Sequence, residues 1–221
     1  MPGDHYFAAE PTVPSSTRTT RLALPDVTLT LTTDRGVFAH GGVDAGTKLL
    51  LLEGPSVPSR GDVLDLGCGY GPIACTLARR SPSATVWAVD VNERARALCA
   101  HNAAANNVAN VRVVAPDDVP ADVTFAAIWS NPPIRVGKAA LHEVLAAWLG
   151  RLAPGGTAHL VVQRHLGADS LAAWLGREGW TVVRRASRQG YRLLDVTPAS
   201  FVAPFSVDSE ENGATNEDPE R

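Results

Sequence analysis

The chain has 221 residues, 45% hydrophobic and 19% charged, a balance that supports a packed core and excludes a fibrous or wholly unfolded chain. No apolar run reaches the ~20 residues of a helical membrane span, and Met1–Thr20 shows no basic stretch followed by an apolar one, so neither a membrane segment nor a secretory signal is expected. The net charge of −3 is uneven: Pro204–Arg221 holds six acidic residues against Arg221, so the rest of the chain is mildly basic and residues 204–221 are expected to be disordered.

In chain order, Arg21–Thr33 alternates apolar residues with threonine around Pro25-Asp26, which predicts a β-hairpin. From Gly61 onward strands alternate with helices. Val63–Leu66 predicts a strand, and Pro72 opens a helix to about Arg80. Thr85–Val89 is the next strand, followed by an Ala-rich helix over Glu93–Asn106 with Asn92 as its cap. Val111–Val114 and Phe125–Trp129 are further strands. Lys138–Leu152 predicts a helix that Pro154-Gly155-Gly156 would stop. Thr157–Val162, a helix over Ser170–Glu178, then Val182-Val183 and Leu193–Val196 complete the pattern. This alternation implies an α/β fold with a mostly parallel, doubly wound sheet of seven strands, whose ligands bind at the carboxyl ends of the strands.

The strongest local signal is Asp65-Leu-Gly67-Cys68-Gly69-Tyr-Gly71, a glycine loop between a predicted strand and helix. A dinucleotide loop has GxGxxG spacing and binds a pyrophosphate, which a carboxylate two residues ahead would repel. A cationic ligand tolerates that carboxylate, and S-adenosylmethionine carries a sulfonium and an ammonium. Asp65 is therefore assigned to the amino-acid end of this cofactor, and Gly67, Cys68, Gly69 and Gly71 to close passage of the backbone. Asp90 ends the second strand of the alternating region, where a carboxylate can accept both ribose hydroxyls, with Val91 beside it. Asp117 follows the next strand and could take the adenine amino group, with Asp118 as its competitor. Cys68, Cys75 and Cys99 form no CxxC pair, so they read as reduced thiols in a cytoplasmic protein, with no metal site.

The strand over Phe125–Trp129 runs into Ser130-Asn131-Pro132-Pro133-Ile134. The lone pair of an exocyclic amine is delocalised, so the nitrogen is a poor nucleophile. Two acceptors aimed at its two N–H groups favour a pyramidal nitrogen with an available lone pair. The Asn131 side-chain oxygen and the Pro132 carbonyl are candidates, with Pro133 stiffening the turn.

Taken together, Asp65–Ile73, Asp90–Ala95 and Asn131–Lys138 resemble the small-domain class I methyltransferase family, in particular single-domain relatives of ribosomal RNA small-subunit methyltransferase C. The likeness runs from His5-Tyr6-Phe7 through Asp34–Phe38 and Val43–Thr47 to Gly190-Tyr191. It implies a Rossmann-like fold with an N-terminal β-hairpin extension, S-adenosylmethionine as cofactor, and methylation of guanine N2 in small-subunit ribosomal RNA, a role in rRNA processing. It also implies three parts: a hairpin and helix over residues 1–60 packing on the catalytic domain, that domain over 61–200, and the tail. Relatives with the same Asn-Pro-Pro segment modify adenine or protein glutamine, so a protein amide stays an alternative, as does a non-catalytic cofactor- or RNA-binding module. Amine methyltransferases often place an aromatic after Asn-Pro-Pro, and here it is Ile134. A stacking ring must come from elsewhere, such as Tyr6, Phe7 or Phe38. Arg135, Lys138, Arg164 and His165 follow two neighbouring strands and are expected to grip the phosphates of ribosomal RNA or of the small subunit, with Arg184, Arg185 and Arg188 as the other basic group. The oligomeric state is left open.

Overall fold

The computed structural model describes residues 12–199. The acidic tail, Tyr6 and Phe7 lie outside these residues. β1 (Arg18–Ala23) and β2 (Thr28–Thr33) form an antiparallel hairpin, and α1 (Ala45–Glu53) follows. The alternating region runs β3 (Gly61–Leu66), α2 (Pro72–Arg80), β4 (Ala84–Val89), α3 (Glu93–Ala105), β5 (Val111–Val114) and β6 (Phe125–Ser130). It continues with α4 (Lys138–Leu149), β7 (Leu152–Gln163), α5 (Ala168–Arg177), β8 (Trp180–Arg188) and β9 (Tyr191–Pro198). One seven-stranded sheet has the order β5-β4-β3-β6-β7-β9-β8. β3 to β7 are parallel, and β9 is antiparallel to both β7 and β8. The fold is therefore the doubly wound Rossmann-like sheet expected, with the hairpin in front of it.

Strand side chains alternate between two cores. Val63, Val86, Ala88, Ala127, Trp129 and Val161 join the layer built with the hairpin, α1, α2 and α3. Leu64, Leu66, Val89, Ile128, Leu160 and Val162 join the layer with α4 and α5. Both faces are covered, as parallel strands require. The chain crosses from β3 to β4 on one side, while β6 pairs on the other. The ends of β3 and β6 therefore border a topological switch point, where open sheets of this kind bind ligands. The buried Ser130 hydroxyl donates to Leu66 O at 2.7 Å and ties those two ends together.

The hairpin is attached by side chains as well as by its apolar face, where Leu22, Leu29 and Leu31 are buried. Asn102 on α3 accepts from Thr32 N at 2.7 Å and donates to Thr32 O at 2.8 Å. Asn106, one turn on, makes the same pair of bonds to Thr30. Arg80 adds a two-bond contact to Asp26 in the hairpin turn, at 2.7 and 2.9 Å.

The largest difference from the sequence expectation lies between α4 and β7. The helix over Lys138–Leu152 ends at Leu149, and Pro154-Gly155-Gly156 lies inside β7. Phe125 pairs with Leu152 but Ala127 with Thr157, so the Pro-Gly-Gly segment bulges out of the ladder. A bulge accommodates a proline that has no N–H to donate. A Cβ on Gly156 would stand 2.9 Å from the carbonyls of Ala153 and Phe125, so the bulge closes tightly onto β6.

Candidate functional site

A cavity of about 630 Å³ opens at the carboxyl ends of β3, β4, β6 and β7. One half is built from the glycine loop. Gly67, Gly69 and Gly71 all have positive φ, so the loop winds as only glycine does at low cost. Gly67 N and Cys68 N both donate to Val89 O, at 2.8 and 3.0 Å, which clamps the loop against the end of β4. A Cβ on Gly67 or Gly69 would meet nothing within 4 Å, so the loop faces open space that a ligand can fill. At Gly71 a Cβ would lie 2.7 Å from the Cys99 sulfur, so that glycine serves the packing of α2 on α3 instead.

Asp90 lines this half. Its Oδ2 accepts from Gly69 N and its Oδ1 from Asn92 N, each at 2.9 Å. Each oxygen keeps a lone-pair direction for a ligand hydroxyl. Burial raises the Asp90 pKa, against the lowering pull of these N–H groups. Val91 and Pro116 supply apolar wall, and Val91 is exposed.

Asp65 behaves differently. It is wholly buried and does not line the cavity. Its Oδ2 accepts from Ala74 N at 2.9 Å, in the first turn of α2, and its Oδ1 has no partner. Burial pushes its pKa up to about 8. Cys68 is buried beside the loop, and its thiol is pushed up through its contact with Cys99 and by burial, so it is not a thiolate. Asp117 and Asp118 lie in an exposed 3-10 turn, and of that turn only Pro116 reaches the cavity.

The second half holds Asn131, Pro132, Pro133 and Ile134, all lining the cavity. The Pro132 carbonyl accepts from Ile134 N at 2.8 Å and retains its other lone pair. The Asn131 amide nitrogen donates to Asp44 Oδ2 at 2.9 Å and to Thr47 Oγ1 at 3.1 Å. Asp44 is the N-cap of α1, accepting from Thr47 N at 3.1 Å, and it takes a long bond of 3.4 Å from the Tyr191 hydroxyl on β9. In the sequence, Asp44, Thr47 and Tyr191 stand out only through the family likeness. Nothing in local spacing joins Asp44, Asn131 and Tyr191, and the N-cap pattern before α1 was the one available signal.

Among the described residues, Phe38, Trp148 and Tyr191 are the aromatic side chains lining the cavity. Phe38 stands on a loop that the start of α3 holds, because Asn92 Nδ2 donates to Gly36 O and Arg94 to Arg35 O, both at 2.8 Å. Asn92 also caps α3 through Ala95 N, as expected. Arg135 reaches the cavity. Lys138, Arg164 and His165 are exposed and stand outside its lining, although Leu166 of the turn over 164–166 is part of it. The other basic group is occupied: Arg184 pairs with Asp169, Arg185 with Asp195 and Arg188 with Glu53. Among the described residues no cluster of His, Cys, Asp or Glu could hold a metal, and no helix is long and apolar enough to cross a membrane.

The donor set of the first half fits S-adenosylmethionine. The open backbone of the glycine loop would receive the amino-acid end, Asp90 has free acceptor capacity for the ribose, and apolar Val91 and Pro116 could flank the adenine. The comparisons with known proteins agree. An uncharacterised protein of Bacillus subtilis is 39% identical over 172 residues, 76% of this chain and 85% of its own length. The ribosomal RNA small subunit methyltransferase C of Shewanella halifaxensis is 36% identical over 177 residues, 76% of this chain and 51% of the relative. This chain thus spans about half the length of such enzymes. A solved structure of the T. thermophilus 16S rRNA N2 methyltransferase, in complex with AdoMet and guanosine, matches with a TM-score of 0.68 and 26% identity. That match covers 85% of this chain and 52% of the other. The family model for the methyltransferase small domain matches residues 28–195, from β2 to β9, and the chain belongs to that family.

Proposed function

We propose that this chain is an S-adenosylmethionine-dependent N-methyltransferase that acts on the exocyclic amine of a guanine in small-subunit ribosomal RNA. One observation carries the reading: Asn131 and Pro132, at the end of β6, share a single cavity with Asp90 and the glycine loop. When bound, S-adenosylmethionine supplies an electrophilic methyl group on a sulfonium. The chain's own task is then to make the amine nitrogen nucleophilic. The Asn131 Oδ1 and the free lone pair of the Pro132 carbonyl accept its two N–H groups. That draws the nitrogen towards a pyramidal shape with its lone pair pointing at the methyl. With the cofactor bound, the nitrogen would take the methyl carbon with the sulfonium as leaving group, and the work of Asn131 and Pro132 is to hold the amine for it. The amine's surplus proton leaves to solvent, so no charged base is needed before transfer. The choice of ribosomal RNA rests on the likeness to methyltransferase C relatives, and Arg135 at the cavity mouth suits a phosphate.

The test is methyl transfer from labelled S-adenosylmethionine to small subunits, and to naked RNA, from a strain lacking this protein. Nucleoside analysis should find the label in N2-methylguanosine. Label in methyladenosine or in protein glutamine would overturn the substrate assignment.

A further inference from the structure

We propose that Asp44 is the positioning residue for Asn131: its carboxylate dictates which way the Asn131 amide faces, and so makes the acceptor half of the cavity an acceptor. The proposal rests on the reading of Asn131 given above and assigns a role to a residue outside the Asn-Pro-Pro segment. An amide side chain is nearly symmetric in shape, and its two ends differ only in chemistry. The end facing α1 meets Asp44 Oδ2 at 2.9 Å and Thr47 Oγ1 at 3.1 Å. A carboxylate accepts and never donates, so that end must be the NH2 group. With both N–H bonds committed to α1, the Asn131 Oδ1 is left to the cavity as a pure acceptor. The flipped amide would set oxygen against oxygen at Asp44. It would also aim N–H groups at the N–H groups of the amine, which is useless for the proposed chemistry.

Capping α1 does not by itself account for this residue. Serine or asparagine caps a helix as well as aspartate does. What aspartate adds is two oxygens: Oδ2 serves Thr47 N and Asn131, and Oδ1 takes the Tyr191 hydroxyl. The carboxylate thereby joins the start of α1, the end of β6 and the start of β9. Gly46 makes room for this junction, since a Cβ there would sit 2.6 Å from the Tyr191 ring and 2.9 Å from Asp44 Oδ2.

The experiment pairs two substitutions with a measurement that needs no substrate. Asp44→Ser keeps a capping oxygen and is too short to reach Asn131. Turnover should fall by about 10–100-fold, the range for outer partners that orient a working group, with S-adenosylmethionine affinity within about twofold of wild type. Asp44→Asn can keep its oxygen on Asn131 and turn its own NH2 to the Tyr191 hydroxyl, so it should recover most of the turnover that the serine variant loses. In 15N-labelled protein, the Asn131 side-chain NH2 signal, assigned by its loss in Asn131→Ala, should show both protons slowed in exchange. Thr47→Val should release one of them, and Asp44→Ser the other. Wild-type turnover in Asp44→Ser, or an unprotected Asn131 NH2 in the wild-type protein, would overturn the proposal. Should the serine variant fail to fold, the wild-type and Thr47→Val signals decide it. A protected amide in a protein that methylates no RNA would sink the guanine assignment and leave the orienting role of Asp44 standing.

Discussion

The two halves of the cavity are built in opposite ways. The cofactor half is mostly backbone, drawn from a short stretch of chain: glycine N–H groups, the Val89 carbonyl, and Asp90 bracing the loop from 21 residues away. The acceptor half is side chains gathered from afar. Asn131 is held by a residue 87 positions earlier, and that residue by another 147 positions later. A site made of local backbone forms once its strand-turn-helix unit forms. A site made of distant side chains forms only when the whole sheet has closed.

That contrast gives an ordered set of outcomes. Asn131→Ala should lower turnover by about 10²–10³-fold, the usual loss for one acceptor or donor aimed at the reacting group, while calorimetric affinity for S-adenosylmethionine stays put. An equal fall in affinity would show that the halves are not separable. Asp90→Ala should do the reverse, weakening cofactor binding by ~1.5–3 kcal/mol, the worth of a hydrogen bond to a charged group. Unchanged affinity in a folded variant would remove Asp90 from the ribose. The smallest effect concerns Asp65. Its pKa is about 8 in the fold and about 4 in an unfolded chain. Between those values the folded state binds the extra proton, so folding stability falls as pH rises from about 4 to about 8. Asp65→Asn keeps the bond from Ala74 N and removes the titration. It should raise the ligand-free Tm at neutral pH. The gain should shrink towards pH 4. If Asp65 also serves the cofactor's ammonium, the same variant will bind S-adenosylmethionine more weakly. A gain independent of pH would mean that the carboxyl is already ionised in the fold.

The same contrast explains what was legible beforehand. The order of strands and helices, the glycine loop, Asp90 and the Asn-Pro-Pro segment follow from period, punctuation and strand ends, which are local properties. The direction of a side chain at a strand end is not local. Asp65 and Asp90 end adjacent parallel strands, yet one turns under α2 and the other faces the cavity. Asp117 and Asp118 follow β5, where a partner for the adenine amino group is expected, but only Pro116 of their turn lines the cavity. Pro154-Gly155-Gly156 reads as a stop, and here β7 absorbs it as a bulge because β6 presses close. Asp44 was invisible as a site residue, since its partners lie on β6 and β9 and only folding brings them together.

Asn102 and Asn106 carry a consequence for the chain's behaviour among copies of itself. A carboxamide is a peptide group in miniature, with donor and acceptor in one plane. Four residues of helix advance ~6 Å and two residues of strand ~6.7 Å, so two asparagines one turn apart can imitate a neighbouring strand along Thr30 and Thr32. The outer edge of β2 is thereby closed to any real strand. In a two-strand ribbon each outer edge is a place where intermolecular pairing can begin, and β1 keeps the other one. The helix that opens beside Asp90 at one end thus closes, further along, one of the ribbon's two edges.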